Sequence, residues 1–511
     1  MDEPLEPPPP EAISAEPPVV RLASYKGWAK LSWLFILIAV AVIIGIRLLP
    51  EPPAENPVNP AGRLDLKVLR LQLELLLALS NQGPAESKRQ LFDSAAQMAD
   101  GDPAKAIRVS AFAAETVGPK EALKLLDGID QTATEKLTPD DRRALEVLGR
   151  LYRDQARGEY FHPSVGEADA EFLEAHLGWI GSLALYPAAP DDKLQKHERA
   201  AGVLGPALLE KYRDGQERVL AQANRTGIIA AVAVGTVLTV VGLGAMGLPV
   251  FLLLWLLGVV HVGLKTGIVH GGVYAETFAI WLCSYGGLLL STELLLHDLA
   301  PVLVRGLIAM PLSLVVLAWP VLRGIPWRQV REDIGWTAGR SPVLEPAAGV
   351  ACYVINLPVV FTGFVITVTL AALFAWLQRE MGGSEPAPPT HPVLEQLSFH
   401  DWPNIVLFFV LISGVAPVVE ETMFRGLLHR QLRESMLVRY PLLGGLCTAL
   451  VVNLVFAAIH PQGLVFIPVL GALACGFSLA REWRGTLIPC MVAHGMNNFL
   501  VGLLAVFLLS G

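Results

Sequence analysis

Charge is what this 511-residue chain has little of. Only 17% of its residues are Asp, Glu, Lys or Arg, 53% are hydrophobic, and mean hydropathy is +0.49. Soluble domains are ordinarily richer in charge and poorer in apolar residues, so the chain as a whole does not read as a soluble globule. It also lacks basic stripes interleaved with aromatics, and its net charge is −8. That leaves no electrostatic footprint for nucleic acid. Cysteine is scarce. Cys283, Cys352, Cys447, Cys475 and Cys490 all fall in apolar stretches, none forms a CxxC pair, and residues 62–226 contain none. Neither disulfides nor a cysteine zinc site can brace that region. The five read as small hydrophobic core residues.

The charges that are present crowd between residues 50 and 226, and long apolar runs follow. The pattern gives an all-α fold: a polytopic membrane helix bundle of about 9–10 spans with an inserted soluble helical domain. Residues 1–30 form a Pro-rich tail, with Pro7–Pro10 in a row, that is expected to be disordered. Residues 31–49 are apolar enough for an uncleaved transmembrane anchor, and Pro50 follows no small-residue cleavage site. Residues 62–226 read as a soluble helical domain for docking or regulation. Apolar residues recur there at three and four spacing, and Thr138 is placed as an N-cap before Pro139. The short helices are faintly like a tetratricopeptide array, but no clean 34-residue repeat runs through them. Residues 227–322 read as accessory transmembrane helices, with Gly244–Pro249 breaking a first pair and His297, Asp298 and Pro301 breaking the next. Residues 325–509 form the remaining core.

Arginines give orientation. Arg323, Arg328, Arg331 and Arg340 form one cluster, Arg425, Arg430, Arg433 and Arg439 a second, Arg481 and Arg484 a third. Cytoplasmic loops favour Lys and Arg, so these clusters are placed inside. Counting back over the expected spans puts residues 50–226 inside and the start of the chain outside. Yet Arg21, Lys26 and Lys30 precede the first span and argue the reverse.

Polar residues within the last apolar segments carry the chemistry. They are Glu420, Glu421 and Arg425, then Phe456 and His460, then His494 and Asn498. Ionisable groups are costly at membrane depth and usually face a bundle interior. Arg425 lies four residues after Glu421, so the two can pair along one helix face. Glu420 then points about 100° away and stays available. His494 and Asn498 lie one turn apart and project from one face, where an imidazole and an amide can donate to a developing oxyanion. Asn497, on another face, is given no role. Blander readings stand beside these: a snorkelling charge cluster for the glutamates, and interhelical hydrogen bonds for His494 and Asn498. Taken together, Glu420 with His460 can hold and deprotonate a water. An alternative wiring makes Glu420, His460 and His494 the ligands of a zinc ion, though no HExxH string accompanies them.

The three strings, EExxxR at Glu420–Arg425, FxxxH at Phe456–His460 and HxxxN at His494–Asn498, resemble the motifs of the CPBP family of intramembrane proteases, also called the Abi or CAAX-protease family. Their order and spacing agree, and Trp327–Trp336 resembles the basic lead-in of that core. The resemblance implies an intramembrane CAAX-type endopeptidase, and the acidic chain, with a pI of 5.8, reads as a multi-pass protein of a bacterial inner (cell) membrane. The same resemblance implies that the first glutamate and the FxxxH histidine activate water and that the HxxxN pair stabilises the oxyanion. Members have been described both as metalloproteases and as metal-independent glutamate peptidases, so no metal is assigned. The expected partners are the lipid bilayer, a membrane-associated peptide or protein substrate, and a protein partner for 62–226. The rival reading is a non-enzymatic membrane scaffold or bacteriocin-immunity-type protein.

Overall fold

The computed structural model describes residues 26–48, 64–80, 85–99, 101–135, 137–161, 164–189, 191–264, 271–380, 401–435 and 440–509. Among these residues every regular element is a helix. Most of the expected Pro-rich tail, the linker 50–61 and most of the loop 380–402 lie outside the described residues.

After α1 (Lys26–Leu48), the insert folds as α2 (Leu64–Ser80), α3 (Ala85–Met98), α4 (Pro103–Thr116), α5 (Pro119–Asp127), α6 (Gln131–Glu135), α7 (Pro139–Arg157), α8 (Glu167–Leu177), α9 (Trp179–Leu185) and α10 (Asp191–Ala200). Local chemistry sets the starts. The Asp102 carboxylate accepts from the N–H groups of Ala104 and Lys105 at 2.9 and 3.2 Å, with Pro103 at the first helical position of α4. Thr138 caps α7 in the same way, accepting from Asp141 N at 3.1 Å, and Gly158 ends that helix in the left-handed conformation. Leu73, Leu77, Ile107, Phe112, Leu151, Tyr152 and Leu183 fill the core and are fully buried. Each such side chain contributes roughly 1.5–3 kcal/mol of burial. Arg108 is buried against Asp141 at 3.1 Å, and His176 Nε2 sits 3.0 Å from the same oxygen.

The next element departs from expectation. α11 runs unbroken from Gly205 to Leu256, so residues 227–256 form one span and not two. Its 52 residues extend about 78 Å at 1.5 Å per residue. Gly244 makes a close approach here and not a turn. A Cβ at that position would meet the Val354 carbonyl at 2.2 Å, so only glycine lets α11 lie this near its neighbour. Pro249 is accommodated within the helix, as membrane helices permit when neighbours share the packing. Two residues of α11, Val219 and Ala223, belong to the insert core. Glu74 of α2 accepts from Gln222 Nε2 at 2.9 Å and Thr226 Oγ1 at 2.6 Å.

The bundle continues with α12 (Val273–Leu296), α13 (Val302–Leu322), the short amphipathic α14 (Trp327–Ile334), α15 (Leu344–Glu380), α16 (Trp402–Ser435), α17 (Pro441–Ile459), α18 (Ile467–Arg484) and α19 (Ile488–Leu509). The break between α12 and α13 at His297–Pro301 is the one expected. Among the described residues eight helices are long and apolar enough to cross a membrane, and α1 adds a shorter apolar stretch, Lys30–Ile46. α15 packs along α11, α18 and α19. α16 is not uniform: Val410–Val415 and Thr422–Leu428 are π-helical, flanking an ordinary turn at Ala416–Glu421.

Candidate active site

Glu420 and Glu421 stand at the end of the turn between the two π segments of α16. A π turn inserts an extra residue and re-aims the side chains around it, which is why such turns collect at functional sites. His460 follows the last turn of α17 with extended backbone, φ −67° and ψ 145°, as the residue before Pro461 prefers. His494 and Asn498 project from the first half of α19. Thus three helices distant in sequence deliver their polar groups to one place.

The centre of that place is one carboxylate oxygen, Glu420 Oε2. His460 Nε2 lies 3.6 Å from it and His494 Nε2 lies 3.9 Å from it. Both separations exceed a direct hydrogen bond, and the oxygen is buried without another protein partner. Contacts of this length between polar atoms are where a bridging water belongs. The other nitrogen of each ring is tied back. His460 Nδ1 lies 2.7 Å from the Phe456 carbonyl, which can only accept, so Nδ1 carries the proton and Nε2 presents a lone pair. His494 Nδ1 bonds Glu421 Oε1 at 2.8 Å. Glu420 and His460 keep 17% and 16% of their side chains exposed, whereas Glu421 keeps none. The two adjacent carboxylates therefore have different surroundings, one open and one sealed.

Arg425 seals Glu421. Its Nη1 donates to Glu421 Oε1 at 3.1 Å, and its Nη2 donates to Asn453 Oδ1 at 3.3 Å and to the Ala474 carbonyl at 3.2 Å. The guanidinium carbon lies 4.7 Å from the Phe456 ring centre and 5.1 Å from that of Phe477. Such cation–ring contacts stabilise a desolvated guanidinium. Phe456 also stands 4.1 Å from the His460 ring centre, and Phe477 stacks on His494 at 4.8 Å. Phe456 is thus a wall that fixes both imidazoles and their arginine brace.

Asn498 is held more firmly than its spacing implied. Its Nδ2 donates to the Ile412 carbonyl, in the first π segment, at 2.8 Å. Asn497 Nδ2 donates to Asn498 Oδ1 at 3.2 Å, and Tyr353 donates its hydroxyl to Asn497 Oδ1 at 3.4 Å. One amide hydrogen of Asn498 remains for other use. Sequence reasoning missed Tyr353, Asn497 and the Ile412 carbonyl. Adjacency to Asn498 was the only signal for Asn497. Nothing in the sequence says that the second face of α19 meets α15.

A zinc ion needs donors converging at about 2.0–2.2 Å. Among the described residues no group of three His, Cys, Asp or Glu side chains is set to hold a metal ion, and Glu420, His460 and His494 are no exception.

Residues 402–500 match the family described as Type II CAAX prenyl endopeptidase Rce1-like. The matched segment takes in α16, α17, α18 and the first half of α19, with all three motifs. It agrees with the CPBP/CAAX-protease resemblance and supports a CAAX-type intramembrane endopeptidase in general. With eight membrane-length helices among the described residues, the chain is a multi-pass integral membrane protein. No curated protein and no solved structure matches it.

Proposed function

We propose that this CPBP-type core hydrolyses a peptide bond of a membrane-associated protein or peptide, using water activated by Glu420 and His460. The observation that carries the reading is the convergence of two imidazole Nε2 atoms on Glu420 Oε2, at 3.6 and 3.9 Å, in a half-open niche. A water held between Glu420 and the His460 lone pair gives up a proton as its oxygen attacks the scissile carbonyl. His494, once protonated at Nε2, donates to the tetrahedral oxyanion, and the Glu421 carboxylate on Nδ1 stabilises that imidazolium. The free amide hydrogen of Asn498 adds a second donor. Collapse breaks the C–N bond, and the proton taken from water passes to the departing amine. Each polar group in the niche then has a task, which favours this reading over a scaffold or immunity role.

The test is Glu420→Gln in the purified full chain with a membrane-anchored reporter. Cleavage is expected to fall by about 10²–10⁴-fold, the range for loss of a general base. A variant that cleaves at the wild-type rate removes Glu420 from the chemistry and with it the mechanism.

A further inference from the structure

The two glutamates stand at a change of helical register. Ala416–Glu421 is an ordinary turn, and Thr422 opens the second π segment of α16 directly after it. A π turn bonds five residues apart, so entering one rotates the side chains on either side of the joint. Side chains from other elements hold α16 at its π segments. Asn498 does so at Ile412. At the second segment, Arg481 Nε donates to the Arg425 carbonyl at 3.1 Å, and Trp336 Nε1 donates to Thr422 Oγ1 at 2.9 Å. The Thr422 hydroxyl gives its own hydrogen to the Val418 carbonyl, 2.6 Å away and one turn back. A hydroxyl bonded to the carbonyl four residues earlier bends its helix. Thr422 is fully buried, so the indole and not water sets the direction of that hydroxyl.

Trp336 is itself fixed in place. α14 ends at Gly335, which has φ 85°, and the Trp336 N–H closes the helix on the Arg331 carbonyl at 2.7 Å. The fully buried Arg481 donates to the Asp333 carbonyl at 2.7 Å and also to the Gly485 carbonyl. Leu487 N donates to the Gly335 carbonyl at 3.0 Å. Gly335 leaves room for this, since a Cβ there would collide with the Arg481 guanidinium. On its other side the same stretch lies against the π segment: a Cβ at Gly426 would come 3.2 Å from the Ile334 carbonyl. Residues 333–336 are thus wedged between the joint of α18 with α19 and the second π segment. This wedge precedes residues 402–500, and none of the three motifs includes it.

We infer that Trp336 is a positioning residue, which sets the catalytic glutamates through Thr422. The indole N–H orients the Thr422 hydroxyl, the hydroxyl fixes the step from α to π, and that step aims the carboxylates. Glu421 then meets His494 Nδ1 at 2.8 Å, and Glu420 presents Oε2 to both Nε2 atoms. Losing the N–H leaves the niche assembled but its acid and imidazoles slightly out of line, which slows chemistry more than binding. The inference rests on the peptidase reading of the niche.

The test uses Trp336→Phe, which keeps an aromatic ring and removes the N–H, beside Thr422→Val, the double variant and Glu420→Gln. Each is made in the purified full chain and assayed for steady-state cleavage of a detergent-solubilised, membrane-anchored reporter and for thermal midpoint. Trp336→Phe is expected to lower kcat about fivefold, the effect of one hydrogen bond, with KM unchanged. Its midpoint is expected to move by less than about 2 °C. The double variant is expected to be no slower than Thr422→Val alone, because both substitutions cut one link. Losses that multiply in the double variant overturn the inference. So does a wild-type kcat in Trp336→Phe, or a fall in kcat that comes only with a larger fall in midpoint, since either makes Trp336 a packing residue. Glu420→Gln cleaving at the wild-type rate removes the peptidase reading and the positioning role with it. Glu420→Gln inactive beside a fully active Trp336→Phe removes the positioning role alone.

Discussion

At the scale of single residues, the neighbouring glutamates divide their work by surroundings. Glu421 is sealed, with Arg425 and His494 on one of its oxygens. Glu421→Ala leaves the buried Arg425 uncompensated, a change that costs about 3–5 kcal/mol. It is expected to lower the thermal midpoint of the purified protein and to abolish cleavage. Glu420→Gln, at the open position, is expected to keep the midpoint while losing cleavage; equal midpoints for both variants would contradict the division. In the proposed mechanism Asn497 acts through Asn498, as a positioning residue. Asn497→Ala is expected to reduce kcat about tenfold with KM unchanged, as slight misplacement of a reacting group does, in steady-state kinetics on a soluble reporter. The motif residues were legible because ionisable groups stand out in apolar segments. Tyr353 was not legible, since a tyrosine in a long apolar helix carries no sign of which helix it will meet.

At the scale of elements, sequence periodicity found the helices but misjudged one joint. Gly244 and Pro249 read as a turn, because both residues disfavour helix in water. In the bundle the glycine instead admits the α15 backbone. Gly244→Leu is expected to force α11 off α15 and to cost about 1–3 kcal/mol of stability, seen as a lower midpoint in detergent. The π segments of α16 were also invisible, because they depend on tertiary partners such as the Asn498 amide on Ile412. In the insert, the cap at Thr138 was of the kind that sequence states directly. There, burial alone would push the Asp141 carboxyl up. Hydrogen bonds from His176 and Thr138 and the Arg108 charge outweigh it and hold the group down at about 2. A depressed carboxyl contributes stability that is present above the ordinary value near 4 and lost as pH falls through about 2. Hydrogen exchange in α4 and α7 is expected to accelerate over that window, after correction for intrinsic rates. Asp141→Asn is expected to remove the dependence.

At the scale of the molecule, the class of fold followed from composition, since no soluble globule would carry so many long apolar runs with so few charges. The side of the membrane did not follow, because it depended on the parity of spans, and one misread joint inverts parity. α11 settles that count by being a single rod whose lower part is membrane span and whose upper part is insert core. A rod of this kind has no wrist. The insert cannot swing on a tether above the bilayer. It is packed onto the upper part of α11 itself, more like a bracketed awning than a lure on a line.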